Sequence, residues 1–207
     1  MAGIGEADWL VAGLGNPGSE YVRSRHNLGF AVVERLAEDG SATFAHATWE
    51  SEAAGIRLSV VPVVLIKPQT YMNRSGAAVA SWLARFGLPP TRLVVVHDEL
   101  DLPLGRLRIA VAAGAGGHRG VRSIQDTLGT TNFPRVRLGI GRPDASEGAA
   151  DRVLADFAPE EIPIIAAMVA RAVEAVRSLI LEGAARAMNR YNARVGPSDP
   201  AQGMHEA

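Results

Sequence analysis

Residues 8–18 read DWLVAGLGNPG, a short apolar run that ends in an Asn-Pro-Gly turn sequence. Such a run followed by turn residues predicts a buried strand that leads into a tight turn. A second apolar run, LVVVH at residues 93–97, is typical of a strand covered on both faces of a parallel sheet. Apolar residues recur at helical spacing at 29–38 and 119–128. These segments indicate strands that alternate with helices.

The same alternation continues along the chain. We predict further strands at residues 56–61, 63–67, 106–111 and 135–140, with Pro62 as a turn or edge between the first two, and further helices at 75–86 and 159–192, the latter broken at Gly183. This order predicts an α/β fold, a single three-layer αβα domain with a mixed, mostly parallel central sheet. We assign residues 8–193 to this domain, 1–7 to an N-terminal extension and 194–207 to a disordered tail.

Composition limits the classes of protein to consider. The 207 residues are 47% hydrophobic and 21% charged, as expected of one globular domain. The chain contains no cysteine, which excludes disulfides, thiolate nucleophiles and cysteine-bound zinc. It also has no run of 18 apolar residues and no basic segment followed by an apolar one at the N-terminus. We therefore expect a cytoplasmic protein without a membrane partner.

Positive charge is concentrated in one part of the chain, although the net charge is only −1. Residues 102–142 contain seven arginines against one acidic residue, Asp126. This local excess indicates an anionic partner such as nucleic acid. Because Lys67 is the only lysine, arginine supplies nearly all the positive charge, and some of the seven could equally be ordinary solvated surface.

Four polar residues are predicted to meet at one edge of the sheet. Asn16, Asn73 and Asp98 each follow a predicted strand, and His26 lies in the connection after the first strand. In open α/β sheets ligands bind beyond the carboxyl ends of the strands. The topology therefore predicts one site containing all four side chains.

The glycine-rich segment GLGNPG, residues 13–18, matches the G-x-G-x-x-G pattern of dinucleotide-binding turns. That pattern requires an acidic residue at the end of a second strand about twenty residues later. Here the corresponding residues 32–40 are predicted to be helix and turn, and Pro17 removes one amide that would face a pyrophosphate. We therefore expect a tight turn and no dinucleotide cofactor.

His26 and Asp98 together indicate acid–base chemistry. Alone, each is more often a capping or surface residue. As a pair, the carboxylate fixes the tautomer of the imidazole and leaves the other ring nitrogen to deprotonate water. Since the sequence offers no cysteine, no G-x-S-x-G elbow and no HExxH-type metal spacing, the pair predicts direct attack by water. Asn73 is either a helix cap or, if Ser75 caps the helix, a neutral amide beside the pair.

Several motifs in order resemble the bacterial peptidyl-tRNA hydrolase family, over about residues 9–192. They are GLGNPG at 13–18, RHN at 25–27, KP at 67–68, YMNRSG at 71–76, HDELDLP at 97–103, GGH at 116–118 and RVRLGIG at 135–141. The resemblance implies a mixed αβα fold and no cofactor, and the spacing of the histidines leads us to expect no metal. The resemblance also implies hydrolysis of the ester between a peptide, or an N-blocked aminoacyl group, and the 3′ end of tRNA, which recycles tRNA for translation.

The resemblance also assigns roles to the four clustered residues. It makes His26 the general base and Asp98 the residue that orients it. Asn16 and Asn73 would position the water and the peptide main chain.

Binding roles follow for six further positions. The resemblance places Tyr21 and Met72 at a peptide groove, and we expect His118 and Arg119 to bind the substrate. Arg108 and Arg137 would engage the tRNA end, in agreement with the arginine excess. No obligate protein partner is implied, and we expect a monomer.

Two positions depart from the family pattern. Arg119 stands where the family usually has asparagine, and Ala110 stands at a usually basic position. We expect the change at Arg119 to affect the geometry of substrate binding. We expect Ala110 to weaken or rearrange the binding of tRNA phosphates. An RNA-binding relative with reduced or lost turnover is therefore an alternative, and a hydrolase of another ester is a further one.

Overall fold

A seven-stranded sheet forms the centre of the protein in a computed structural model that describes residues 4–48, 50–143 and 148–193. The strands are β1 Trp9–Gly13, β2 Ala45–Ala47, β3 Ser51–Leu58, β4 Val61–Pro68, β5 Leu93–Glu99, β6 Leu107–Ala110 and β7 Arg135–Gly139. Their order in the sheet is β2-β3-β4-β1-β5-β7-β6. The neighbours β4, β1, β5 and β7 are parallel, whereas β2, β3 and β6 pair antiparallel with the strand beside them. The predicted mixed sheet is confirmed.

Helices cover both faces of the sheet. They are α1 Leu28–Asp39, α2 Ser75–Phe86, α3 Arg119–Leu128, α4 Ala149–Leu154, α5 Ile162–Glu182 and α6 Ala184–Tyr191. One apolar cluster joins α1, α5 and α6 to the sheet, and a second joins α2 and α3 to the opposite face. This arrangement confirms the three-layer α/β fold and supports the proposal of one domain over residues 8–193. Residues 1–3 and the expected tail at 194–207 lie outside the described residues.

Several boundaries differ from the prediction. The turn between β3 and β4 falls at Ser59, which has a φ of 54°, so Pro62 lies inside β4 as its second residue. Proline is tolerated there because it is close to the start of the strand. Strand β5 continues through Asp98 and Glu99, which pair with β7, so Asp98 lies within the strand and not after it. The predicted helix break at Gly183 is confirmed, whereas β2 and α4 were not predicted.

Two glycines bring β1 and α1 into direct contact. A Cβ atom on Gly13 would lie 2.2 Å from the carbonyl oxygen of Gly29, and one on Gly29 would lie 2.3 Å from the amide nitrogen of Leu14. A side chain at either position would force the two elements apart. Gly13 of the GLGNPG segment and Gly29 thus serve packing, and they hold the start of α1 over the ends of β1 and β5.

Among the described residues, none of the helices has the length and apolar character that crossing a membrane would require.

Candidate active site

A cavity of about 520 Å³ lies at the carboxyl ends of the parallel strands and is lined by all four clustered polar residues. Asn16 follows β1, Asn73 lies between β4 and α2, and Asp98 lies in β5. His26 lies in a 3₁₀ turn, Arg25–Asn27, that leads into α1. The predicted convergence is therefore what the structure shows.

His26 and Asp98 form a direct hydrogen bond. The Nδ1 atom of His26 lies 2.8 Å from Oδ1 of Asp98. Since an ionised carboxylate only accepts, Nδ1 must carry the proton and Nε2 is left with a free lone pair. Burial raises the pKa of Asp98, but attraction by His26 and His118 and their hydrogen bonds outweighs burial, so its pKa is well below the ordinary value. The carboxyl group is therefore ionised at neutral pH.

His118 contacts the same carboxylate oxygen. Its Nε2 atom lies 3.1 Å from Oδ1 of Asp98, and its Nδ1 atom accepts a 3.2 Å hydrogen bond from the backbone N–H of Val121 in the first turn of α3. The ring centroids of His26 and His118 are 4.9 Å apart. His118 lines the cavity, as the substrate-binding prediction requires, but both of its ring nitrogens are already occupied.

His97 is a buried structural residue. Its Nδ1 atom donates to the backbone oxygen of Asp98 at 2.7 Å. Burial lowers its pKa well below the ordinary value, and the nearby His118 and Arg135 lower it further. His97 is therefore neutral and does not line the cavity, which leaves His26 as the candidate base.

Asn16 is held by a residue that sequence reasoning missed. The side chain of Asn27 accepts from the backbone N–H of Asn16 at 2.8 Å and donates to its carbonyl at 3.0 Å. The Oδ1 atom of Asn16 accepts from the backbone N–H of Met72 at 3.1 Å. These bonds use the oxygen of the Asn16 amide and leave its NH₂ group to donate into the cavity. Only the position of Asn27 beside His26 could have drawn attention to it.

Asn73 is exposed, and its side chain makes no hydrogen bond with another described residue. The cap position of α2 is Arg74, without a side-chain cap bond, so Asn73 is not a helix cap. Ser75 does not cap either, because its hydroxyl donates to the carbonyl of Met72 at 2.9 Å. The amide of Asn73 is thus available to the cavity.

Apolar and aromatic side chains form part of the cavity lining. They include Tyr21 and Met72, the predicted groove residues, and Tyr71, which is 68% exposed. Val153 and Leu154 of α4 also line the cavity. This wall formed by α4 was not predicted. The groove suits an apolar or peptide group next to the His26–Asp98 pair.

The predicted cations differ in their surroundings. Arg108 in β6 is exposed and lies opposite Arg137 of β7. Arg137 binds Oε2 of Glu99 through two nitrogens, at 2.9 and 2.8 Å, so much of its charge is neutralised. Arg119, the first residue of α3, is exposed and lines the cavity, and within the described residues no ion pair involves it.

Arg135 in β7, by contrast, is buried. One of its guanidinium nitrogens donates to the carbonyl oxygens of Ala113 and Gly114, at 2.8 and 2.9 Å. Burial lowers its pKa to about 10, assisted by the like charge of Arg137. Arg135 therefore fixes the loop that precedes His118 and is not part of an exposed anion site.

His26, Asp98 and His118 bring three potential metal-ligand atoms within 4.8 Å of one another. However, Nδ1 of His26 and Nε2 of His118 both bond to Oδ1 of Asp98. A divalent ion bound by these two nitrogens would have to displace both hydrogen bonds. The expectation that the site contains no metal stays a prediction.

Comparison with known proteins gives a consistent result. A sequence model of the peptidyl-tRNA hydrolase family matches residues 10–199. A peptidyl-tRNA hydrolase of Chloroflexus aggregans is 49% identical over 185 residues, covering 89% of this chain and 98% of the relative. One from Dehalococcoides mccartyi is 46% identical over 186 residues, covering 88% and 98%. The crystal structure of peptidyl-tRNA hydrolase from Acinetobacter baumannii superimposes with a TM-score of 0.85 at 35% identity, covering 89% of this chain and 94% of that one.

Proposed function

Since the chain belongs to the peptidyl-tRNA hydrolase family, it hydrolyses the ester that joins a peptide to tRNA, and we propose that His26 activates the attacking water. The observation that carries this proposal is the 2.8 Å bond from His26 to the buried Asp98 within the cavity. It leaves Nε2 of His26 able to accept a proton.

The proposed reaction is direct hydrolysis. Nε2 of His26 takes a proton from water while the water oxygen bonds to the ester carbonyl carbon. The tetrahedral intermediate then collapses as the bond between that carbon and the ribose oxygen breaks, and His26 returns the proton to the departing oxygen. The products are a peptide with a free carboxyl group and tRNA with a free 3′ hydroxyl. Asp98 stabilises the imidazolium that exists between the two transfers.

The lining of the cavity supports direct attack. Its described residues include no serine, threonine, cysteine or lysine that could form a covalent ester or imine. The NH₂ groups of Asn16 and Asn73 are suited to hold the water and the developing oxyanion, because neutral donors do not disturb the base. The peptide would lie along the groove formed by Tyr21, Met72 and α4.

Two arginines are proposed to contact the tRNA end. Arg108 offers an exposed guanidinium on the edge strand, and Arg137 lies opposite it with its charge partly taken up by Glu99. Ala110 pairs with Arg135 in the same two strands and adds no cation. We therefore propose that Arg108 carries most of the phosphate contact in this chain.

Arg119 and His118 adjoin the same cavity. The two carboxylates that line the cavity with Arg119 are engaged elsewhere, Asp98 with two histidines and Glu99 with Arg137. We propose that Arg119 faces the substrate and makes a charge-assisted hydrogen bond where the family usually has an amide.

We also propose that the protein works as a cytoplasmic monomer. Every side chain that the proposed mechanism uses lies on this one chain, and the absence of cysteine suits a reducing compartment. Translation, which supplies peptidyl-tRNA, takes place there.

The activity is tested by incubating the purified protein with peptidyl-tRNA and with unblocked aminoacyl-tRNA. We expect catalytic release of peptide from the first and little release of amino acid from the second. Tight binding of peptidyl-tRNA without release would instead indicate an RNA-binding relative that has lost turnover.

A further inference from the structure

His118 holds two structural elements together through its two ring nitrogens. Nε2 lies 3.1 Å from Oδ1 of Asp98, and Nδ1 accepts from the backbone N–H of Val121. The side chain is only 6% exposed. We propose that His118 is a positioning residue that holds the Asp98 carboxylate in line with His26, and that it does not bind the substrate through its ring nitrogens. This inference rests on the proposed role of the His26–Asp98 pair.

The hydrogen bonds determine the tautomer of His118. A backbone N–H only donates, so Nδ1 must be unprotonated to accept from Val121. An ionised carboxylate only accepts, so Nε2 must carry the proton that faces Asp98. His118 is therefore neutral with its proton on Nε2, and neither nitrogen is left for a substrate.

The second hydrogen-bond donor, His118, changes the negative charge that Asp98 presents to His26. Oδ1 of Asp98 accepts from two neutral imidazoles. Two hydrogen bonds fix the direction of the carboxylate more firmly than one. They also withdraw part of its negative charge, so His26 faces a weaker charge than it would beside a carboxylate with one donor.

The charged and titratable residues His97, Arg135 and Glu99 lie near the Asp98 carboxylate but bond to other groups. His97, from β5, has its ring 4.7 Å from that of His118 and donates to the backbone of Asp98, not to its side chain. Arg135, from β7, is bonded to loop carbonyls. Glu99 is paired with Arg137.

Arg119, the first residue of α3, is the arginine among the described residues that line the cavity. It makes no hydrogen bond or ion pair with Asp98. Within the described part of the chain, His26 and His118 are therefore the side chains bonded to its carboxylate.

Two substitutions separate the two bonds of His118. In His118→Asn the side-chain oxygen can replace Nδ1 and keep the cap on α3, but the side chain is too short to reach Asp98. In His118→Gln the side-chain NH₂ can replace Nε2 and donate to Asp98, but the cap is lost. Each variant thus retains one bond and serves as the control for the other.

The pH dependence of kcat/KM for peptidyl-tRNA hydrolysis is the main measurement. We expect His118→Asn to lose about tenfold or more in kcat and to shift the acid limb to higher pH, because Asp98 then acts on His26 with its full charge. KM should stay within about twofold and the melting temperature close to that of the wild type. His118→Gln should keep the wild-type profile while its melting temperature falls by about 2–4 °C, the effect of a lost cap.

Three results would overturn the inference: an unshifted profile with wild-type kcat in His118→Asn, a severalfold rise in KM with kcat preserved, or a displaced profile in His118→Gln. If the asparagine variant fails to fold, the glutamine variant decides, because a retained profile supports the inference and a raised KM contradicts it. His26→Ala is measured in parallel. If it remains active, the proposed mechanism itself fails, whereas an inactive His26→Ala with an unshifted His118→Asn removes only the role of His118.

Discussion

Asp98 is the residue on which the geometry of the site most depends, because its Oδ1 atom bonds to both His26 and His118. It is 1% exposed and lies within β5, so its position is set by the sheet. A neutral amide at this position would keep the shape but remove the charge that stabilises the imidazolium.

We therefore expect Asp98→Asn to lower kcat by about 10²–10⁴-fold, the usual contribution of a working general base. Binding of tRNA should be nearly unchanged, since the carboxylate is buried and does not face phosphate. Turnover on peptidyl-tRNA and the dissociation constant for tRNA are measured on the same preparation. Preserved turnover with much weaker tRNA binding would reassign Asp98 to binding.

Arg119 is the residue at which this chain departs from its family within the cavity. Replacing it with the family's usual residue, in Arg119→Asn, should retain kcat and raise KM for peptidyl-tRNA severalfold, because a charge-assisted hydrogen bond is about twice as strong as a neutral one. Arg122→Asn is the matched control, since Arg122 is exposed on the same helix but does not line the cavity. A tenfold rise in turnover in Arg119→Asn would show instead that Arg119 inhibits the enzyme.

The residues with chemical roles were easier to find from the sequence than those that hold them. Asn16, Asn73 and His26 could be predicted because unusual polar residues follow apolar strands, and strand topology brings those positions together. Asn27 could not, because its hydrogen bonds go to the backbone of Asn16, which only the folded turn brings within reach. The paired nitrogens of His118 escaped prediction for the same reason.

At the scale of elements, long periodic helices were predicted closely and short elements were not. Helix α2 was predicted with its bounds at Ser75 and Phe86, because its apolar spacing is regular and Gly87 and two prolines end it. Helix α4 has six residues, Ala149–Leu154, too few for a periodic pattern, yet it supplies a wall of the cavity. Strand β5 extends beyond its apolar run because pairing with β7 continues through Asp98 and Glu99.

A buried ion pair connects the His26 turn to the chain that follows α4. Arg25 donates to both carboxylate oxygens of Glu161, at 3.1 Å and 2.5 Å, and its guanidinium lies 4.5 Å from the centre of the Phe157 ring. The hydrogen bond from Arg25 lowers the pKa of Glu161, against an opposing effect of burial. The ion pair thus holds the chain that follows α4 next to the turn that contains His26.

We expect Glu161→Gln to lower the free energy of unfolding at pH 7 by about 1–3 kcal/mol, since buried Arg25 loses its charged partner. Because folding lowers the pKa of Glu161, its contribution is complete above the unfolded value, near 4.5, and is lost as pH falls through the folded value. Urea unfolding at pH 7 and at lower pH should show less acid sensitivity in the variant. Exposed Glu160→Gln is the control, and equal effects of the two substitutions would mean that the pair adds no stability.

At the scale of the whole molecule, the fold and the general location of the site follow from the sequence, whereas the state of each charge does not. The arginine excess in residues 102–142 was evident from the sequence. Its division into exposed Arg108, paired Arg137 and buried Arg135 depends on which acids and carbonyls the fold brings close. A count of charges alone therefore overstates the cations available to RNA.

Measurements of tRNA binding test this division of the arginines into exposed, paired and buried residues. Arg108→Ala should weaken tRNA binding and reduce the slope of log affinity against log salt by about 0.7 for each single-stranded phosphate that the variant no longer neutralises. Arg137→Ala should act in the same direction and more weakly, because Glu99 already holds its guanidinium, and neither change should alter kcat. If neither variant flattens the salt dependence, this surface is ordinary solvated protein and the tRNA end is bound elsewhere.

The most direct test of the mechanism compares turnover of peptidyl-tRNA by the wild type and by His26→Ala under saturating substrate. No other described side chain in the cavity can take a proton from water in the same geometry, so we expect kcat to fall by about 10²–10⁴-fold. Circular dichroism should show an unchanged fold, and tRNA binding should be retained. A folded His26→Ala variant that releases peptide at nearly the wild-type rate would contradict the account.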